Sequence, residues 1–162
     1  MIKLWGWDKK PRTMLRYIKI GDTFCFKYDD HTYCFGQIIS KVQFYIAGIW
    51  GYVSEQPAIS KDIVLNAEYL LITPLDVYSL FDRKREGELK REWRIIGHQD
   101  DYALKCVEDI WFAWGIGFDC RKSDIFGNTV SISEDEWRTL QKLSPKGEYE
   151  VKQMLSDKLK AE

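Results

Sequence analysis

The chain has 162 residues, of which 45% are hydrophobic, 30% are charged and 15% are aromatic. A chain of this length can bury one hydrophobic core without disulfides or a bound metal, and its apolar fraction argues against an intrinsically disordered protein. The formal net charge of −1 at pH 7 argues against nucleic acid as the main partner, because proteins that bind polyanions carry a clear excess of Lys and Arg.

No segment of the sequence is predicted to cross a membrane or to direct secretion. The longest apolar runs, residues 44–53 and 110–118, are far shorter than the ~20 residues that a transmembrane helix requires. The first residues lack the continuous apolar stretch and the small-residue cleavage site of a secretory signal. Since no repeat, low-complexity tract or linker divides the chain, we expect a single cytoplasmic domain over residues 1–162.

The chain opens with a basic segment, in which Lys and Arg dominate residues 3–19, and we expect an exposed lead-in there. After it, apolar residues recur at every second position, which places Phe24 and Phe26 on one face of a strand. Residues 29–31 supply turn chemistry and residues 32–39 run back. This pattern predicts a β-hairpin.

Three further strands and one helical turn are predicted in the middle of the chain. Gly48 and Gly51 indicate a bulge or a close backbone approach within the first of these strands. Ser60 suits the N-cap of the helical turn, because its hydroxyl can accept a backbone N–H of the first turn. Gly97 is predicted to end the last strand in a turn. In chain order these elements are a strand over residues 43–52, the helical turn over 60–65, a strand over 69–72, an exposed charged loop over 82–90 and a strand over 93–97.

Two helices are predicted at the carboxyl end. Ser133 and Glu136 form a capping box, and apolar residues follow at helical spacing through Leu143. Ser144 as N-cap and Pro145 as the first helical residue predict a second helix. The class is therefore α+β, a mostly antiparallel β-sheet with C-terminal helices, and the short strands leave a barrel-like sheet open as one form of it.

The sequence contains no arrangement typical of a catalytic site. No nucleophile-elbow, zinc-protease or phosphate-binding glycine motif occurs. The histidines are His31 in the predicted turn and His98 after the predicted strand end, and both are common positions for a solvated histidine. We therefore expect no enzymatic activity.

The cysteines are expected to be reduced thiols without a metal, and no cofactor is expected. No pair among Cys25, Cys34, Cys106 and Cys120 has the spacing that zinc sites favour. If the hairpin turn contains only residues 29–30, Cys25 lies directly opposite Cys34. Two buried cysteines that act as small hydrophobes are the simplest interpretation of that pair.

Acid pairs in predicted loops and one dense aromatic run are the candidate contact sites. Adjacent acids usually form solvated turns, yet acids at the rim of an interface also steer a basic partner. The aromatic run, residues 111–118, mainly predicts core packing, although strand alternation leaves one side of it partly exposed. The candidate contact residues are Asp29, Asp30, Asp100, Asp101, Glu108, Asp109 and Trp111.

Three fragments in order resemble the immunity protein 26 family of bacterial polymorphic toxin systems, which includes contact-dependent growth inhibition immunity proteins. They are GDTFCF at residues 21–26, YCFGQI at 33–38 and WRIIGH at 93–98. The resemblance covers roughly residues 12–100, and the carboxyl-terminal helices carry none of it.

The resemblance implies a cytoplasmic protein that binds the carboxyl-terminal toxin domain encoded by the neighbouring gene. Such toxins are frequently nucleases, which are basic because they bind phosphate, and a near-neutral inhibitor fits that partner. Direct binding to nucleic acid or to a membrane is not implied. The role is binding, so the resemblance supplies no catalytic residues.

Two other classes of function remain open from the residues alone. One is a β-barrel-like module that binds nucleic acid or a short peptide, with exposed aromatic rings as stacking platforms in a positive groove. Its only basic candidates are residues 3–19 and 83–94, and glutamates interrupt the second of these. The other is a hydrolase whose site is assembled from acids distant in sequence.

Overall fold

The computed structural model describes residues 1–9, 15–81, 93–104 and 109–161. Within these ranges the chain forms two antiparallel sheets, four α-helices and a 3₁₀ turn at Leu15–Tyr17. The predicted α+β class with mostly antiparallel strands is confirmed. The loop predicted over residues 82–90 lies outside the described residues.

A six-stranded antiparallel sheet forms the centre of the fold, in the strand order β1-β6-β2-β3-β4-β5. The sheet is open, because β1 and β5 lie at its two edges and do not pair with each other, so the barrel-like form is wrong. Its strands are β1 (Ile2–Leu4), β2 (Asp22–Lys27), β3 (Tyr33–Val42), β4 (Phe44–Ser54), β5 (Tyr69–Leu75) and β6 (Trp93–Gln99).

One face of this sheet carries a large aromatic cluster. The alternation in β2 places Phe24 and Phe26 on this face, as predicted, and both side chains are fully buried. The Phe26 ring stacks on the Trp93 ring, with centroids 3.8 Å apart and planes 3° apart. The ring of Phe81 meets Trp93 edge-on. These contacts make the aromatic face the main core of the protein.

Two helices cover the aromatic face. They are α2 (Val77–Leu80) and α4 (Glu148–Ala161). Val151 and Leu155, one helical turn apart on α4, are buried against the cluster.

The opposite face of the sheet is covered by a short helix and by a second sheet. Ile38 belongs to the aromatic face, whereas the next residue, Ile39, packs against Phe112 of the second sheet. Helix α1 (Lys61–Asn66) begins after Ser60, whose hydroxyl accepts the Ile63 N–H as predicted. The second sheet has the order β7-β8-β9, with β7 (Trp111–Trp114), β8 (Arg121–Asp124) and β9 (Thr129–Ser131).

The predicted hairpin of β2 and β3 forms, with its turn at residues 29–31 as predicted and not the two-residue turn that would place the two cysteines opposite each other. The Tyr28 N–H donates to the Thr32 carbonyl oxygen at 2.8 Å, so the turn contains residues 29–31. This longer turn shifts the register by one residue, and Cys25 therefore does not lie opposite Cys34. Because side chains alternate along a strand, the two cysteines lie on opposite faces of the sheet.

The amino terminus contains an edge strand that the expected lead-in did not include. Strand β1 pairs with the second half of β6, where Leu4 lies opposite Gly97. The prediction that Gly97 ends its strand is wrong, because β6 continues to Gln99. A Cβ at Gly97 would lie 2.6 Å from the carbonyl oxygen of Lys3. The close approach of β1 to β6 at this position therefore requires a glycine.

The carboxyl-terminal helices differ in extent from the prediction. Ser133 caps α3 (Glu134–Thr139) as predicted, but this helix does not continue to Leu143. The second predicted helix does form, as α4, but it begins at Glu148 and not at residues 144–145, because the segment between α3 and α4 bonds to neighbouring strands instead. Its residues Lys142 and Lys146 form isolated β-bridges to β7 and β5.

We predict that Phe26→Ala lowers the free energy of unfolding by about 3–5 kcal/mol, because it removes a fully buried ring and leaves a cavity beside Trp93. The control is Phe118→Ala, whose side chain is fully exposed and whose loss should change the free energy by less than about 0.5 kcal/mol. Urea unfolding followed by tryptophan fluorescence measures both. Equal effects of the two substitutions would contradict this assignment of the core.

Candidate functional site

The predicted acid pairs do not converge on one place. Asp29 and Asp30 are exposed in the turn between β2 and β3, whereas Asp100 and Asp101 are exposed directly after β6. Since β6 is antiparallel to β2, the end of β6 lies beside the start of β2, away from that turn. The six residues of β2 separate the two pairs, by roughly 20 Å.

The remaining predicted contacts lie at the entrance to the second sheet. Asp109 is exposed, and Trp111 is half-buried. The Lys122 Nζ atom lies 4.7 Å from the centroid of a Trp111 ring, so part of this indole is engaged within its own sheet. Glu108 lies outside the described residues.

His98 lies between two carboxylates that the sequence did not connect with it. Its Nδ1 atom is 2.8 Å from Asp22 Oδ1, and its Nε2 atom is 3.3 Å from Asp100 Oδ1. The prediction of a solvated loop histidine is wrong, because β6 continues past Gly97 and brings the ring beside Asp22 of β2. The side chain of His98 is only 18% exposed. We call Asp22, His98 and Asp100 the His98 cluster.

The two carboxylates of the His98 cluster have different environments. Asp22 is buried, and its burial raises the pKa of its carboxyl, while hydrogen bonds from the Lys19 N–H and the His98 ring act in the opposite direction. Asp100 is 58% exposed. Since both ring nitrogens of His98 are engaged, this ring is poorly placed to take a proton from a substrate. It is well placed to hold the carboxylate of Asp100 in one position at the surface.

A hydrogen-bonded network of Gln37, Tyr69, Gln99 and Tyr102 fixes the same end of β6. The Gln37 Nε2 atom donates to Gln99 Oε1 at 3.0 Å, and the Tyr69 hydroxyl donates to Gln37 Oε1 at 2.9 Å. The hydroxyls of Tyr69 and Tyr102 are 2.9 Å apart. These bonds join β3, β5, β6 and the segment after β6, so we call these four residues the Gln37 network.

Exposed apolar side chains flank the acids at this end of the sheet. Met1 is 81% exposed and Ile20 is 46% exposed. The Met1 carbonyl oxygen accepts the Asp100 N–H at 3.0 Å. The carbonyl oxygen of Gly21, the residue after Ile20, accepts the Gln99 N–H at 2.9 Å. We call Met1, Ile20, Asp100 and Asp101 the β6-end surface. A protein-binding surface combines an apolar centre with a polar rim, and this end of the sheet offers exposed side chains of both kinds.

The cysteines in the described ranges are buried free thiols. Burial raises the pKa of the Cys25 thiol, and it raises the pKa of the Cys34 thiol to about 12, so both remain protonated and unreactive near neutral pH. Cys120 is also a buried free thiol. Cys106 lies outside the described residues. Across the described ranges, no group of three or more His, Cys, Asp or Glu side chains is arranged to hold a metal ion.

Comparison with known protein families identifies the chain. The sequence model of the family described as Immunity protein 26 matches residues 19–124, well over half of the chain. The chain belongs to the immunity protein 26 family. All three fragments that carried the resemblance lie inside the matched range, so the family assignment from sequence is confirmed. No curated protein and no solved structure matched the chain.

The family match can be placed on the fold of this immunity protein. It includes strands β2 to β8, and therefore the whole His98 cluster and the whole Gln37 network. Strand β9 and helices α3 and α4 follow the last matched residue, Asp124. None of the helices in the described parts of the chain has the length and apolarity needed to span a membrane.

We predict that Gln37→Leu lowers the free energy of unfolding by about 1–3 kcal/mol, because the hydrogen bonds of the buried Gln37 amide to Gln99 and Tyr69 are lost. The control is Gln153→Leu on the exposed side of α4. This substitution should change the free energy of unfolding by less than about 0.5 kcal/mol. Urea denaturation at pH 7 measures both. If Gln37→Leu were as harmless as its control, the Gln37 network would not fix the end of β6.

Proposed function

We propose that this protein binds the toxin domain encoded by the neighbouring gene and neutralises it in the cytoplasm, without catalysing a reaction itself. Membership of the immunity protein 26 family is the observation that carries this proposal. We further propose that the partner is the carboxyl-terminal domain of a polymorphic toxin, of the kind used in contact-dependent growth inhibition.

A basic nuclease is the toxin that best suits this chain. Nucleases carry positive charge where they bind phosphate, and that charge attracts acidic surfaces. The chain has a formal net charge of −1, and its exposed acid pairs lie in two separate loops. An inhibitor of this charge does not repel a basic partner, and its acids can accelerate the encounter.

We propose that the main contacts lie at the β6-end surface. Asp100 is held there by His98, and the Gln37 network fixes the strand from which it projects. A contact residue that is already in place loses little conformational freedom on binding, so more of its interaction energy contributes to affinity. The exposed side chains of Met1 and Ile20 supply apolar area beside the acids.

The other predicted acids are assigned a different part in binding. Asp29 and Asp30 are exposed and lie at the far end of β2, and the ring of His98 does not hold them. We propose that they, together with Asp109 and Glu108, attract a basic toxin over a distance. Trp111, which is half-buried and follows Glu108 and Asp109 in the chain, is proposed as an apolar contact.

We predict that the protein restores growth to bacteria that express the adjacent toxin domain, because a bound toxin is inactive. The measurement compares growth with this gene, with an empty vector and with an immunity protein from an unrelated toxin system. Failure of the wild-type protein to restore growth or to bind the purified toxin domain would reject the proposed function.

The two acid pairs should affect binding differently, and asparagine substitutions test this. Asp100→Asn with Asp101→Asn should weaken toxin binding about tenfold, mainly by faster dissociation, because close contacts are lost. Asp29→Asn with Asp30→Asn removes the same charge and should mainly slow association. Asparagine tolerates the left-handed backbone of Asp101, whose φ is 55°, and it can accept the His31 N–H as Asp29 does.

Surface plasmon resonance at low and high salt measures these rates. The slower association of the Asp29 and Asp30 variant should disappear at high salt, where long-range attraction is screened. If the two variants had the same dissociation rate as the wild-type protein, the β6-end surface would not be the main contact, although the immunity function would stand.

A further inference from the structure

The edges of the two sheets differ in how they are protected. The segment after α3 forms one β-bridge to the edge strand β5 of the large sheet and one to the edge strand β7 of the second sheet. The Ala113 N–H donates to the Gln141 carbonyl oxygen at 2.8 Å, and the Lys146 N–H donates to the Pro74 carbonyl oxygen at 3.3 Å. Strands β1 and β9 form the other two edges.

The outer side of strand β9 carries backbone groups that have no hydrogen-bond partner among the described residues. Two hydrogen bonds lie just outside the two ends of its pairing with β8. The Asp124 N–H donates to the Asn128 carbonyl oxygen, and the Ile132 N–H donates to the Cys120 carbonyl oxygen, both at 3.0 Å. Alternate residues of an antiparallel strand bond to the same neighbour, so Val130 bonds to β8.

It follows that Thr129 and Ser131 direct their N–H and C=O groups away from β8. No hydrogen bond to these backbone groups occurs within the described residues. They are spaced two residues apart, as another strand requires.

The side chains of β9 do not discourage pairing. Natural edge strands are often short, and many also carry a charged side chain or a proline that discourages pairing, as Lys3 does in β1. Strand β9 has neither, and all three of its residues are exposed. Val130 is 45% exposed. Phe126, in the turn before the strand, is 72% exposed, and Phe118, in the loop between β7 and β8, is fully exposed. The edge therefore combines apolar side chains with backbone donors and acceptors to which no described residue bonds.

We propose that β9 binds an extended segment of the toxin domain as an added β-strand. This inference rests on the proposed function and names a second contact, separate from the β6-end surface. An extended peptide backbone is the partner whose chemistry matches the N–H and C=O groups of Thr129 and Ser131. Because β9 follows the range matched by the family, such pairing supplies recognition by a part of this chain that the family match does not include.

The test compares Ser131→Pro with Ser131→Ala in the full-length protein. Proline removes the outward N–H of residue 131 without removing a bond to β8, and proline is tolerated at such positions of edge strands. Alanine keeps the N–H and removes only the hydroxyl. With the purified toxin domain as probe, Ser131→Pro should bind about tenfold more weakly or worse, because a toxin carbonyl loses its donor. Ser131→Ala should bind as tightly as the wild-type protein, and urea unfolding should show that both variants are folded.

Amide hydrogen exchange gives a second readout that does not depend on a variant. In the free protein the amides of Thr129 and Ser131 should exchange quickly, while that of Val130 is already protected. Addition of the toxin domain should slow exchange at Thr129 and Ser131 and leave Val130 nearly unchanged.

Three results would overturn the inference in distinguishable ways. If the wild-type protein does not bind the toxin domain, the proposed function falls and this inference falls with it. If the toxin binds, but Ser131→Pro binds normally and the two amides still exchange quickly, only the inference is wrong. If the free protein is a dimer that Ser131→Pro dissociates, and the proline variant still binds toxin normally, the edge pairs with a second copy of the chain instead.

Discussion

Both faces of the six-stranded sheet carry large apolar side chains, and this constraint determines the rest of the architecture. Phe24, Phe26 and Trp93 project from one face, while Phe35 and Trp50 project from the other. Neither face can be left in water, because each buried aromatic side chain contributes a large part of the folding free energy. The helices α2 and α4 therefore cover one face, and α1 with the second sheet covers the other.

Because both faces are covered, binding surfaces in the described parts of the chain are left mainly to strand ends, loops and sheet edges. The β6-end surface lies where β6 leaves the sheet, and it is held by polar bonds to neighbouring strands. The β9 edge lies where the second sheet stops. The two differ in their chemistry, since the first combines acids with apolar side chains and the second offers backbone groups.

Local patterns in the sequence predicted the elements that depend on local chemistry. Alternation predicted the face of Phe24 and Phe26, and the side chains of Ser60 and Ser133 predicted the starts of two helices. The family was recognised from short fragments in the right order, all of which lie in the matched range. Strands β8 and β9 were missed because their residues are mostly polar and show no apolar alternation.

The errors arose where contacts distant in sequence decided the outcome. Cys25 would lie opposite Cys34 only across a two-residue turn, and the sequence did not decide between that turn and the one at residues 29–31 that forms. Gly97 was interpreted as a strand end because the pairing of β1 could not be foreseen. The same error hid His98, whose partner Asp22 is 76 residues away in the chain. Spacing within a sequence gives no signal for such a pair.

The proposed function rests on one central claim, that this chain inactivates a toxin by binding it. Titration of the purified toxin domain with the purified protein, while the toxin's own activity is measured, tests that claim most directly. The account predicts that activity falls in proportion to the protein added and is lost when the two are equimolar, as expected of a tight one-to-one complex. Full toxin activity in the presence of a large molar excess of the protein would contradict it.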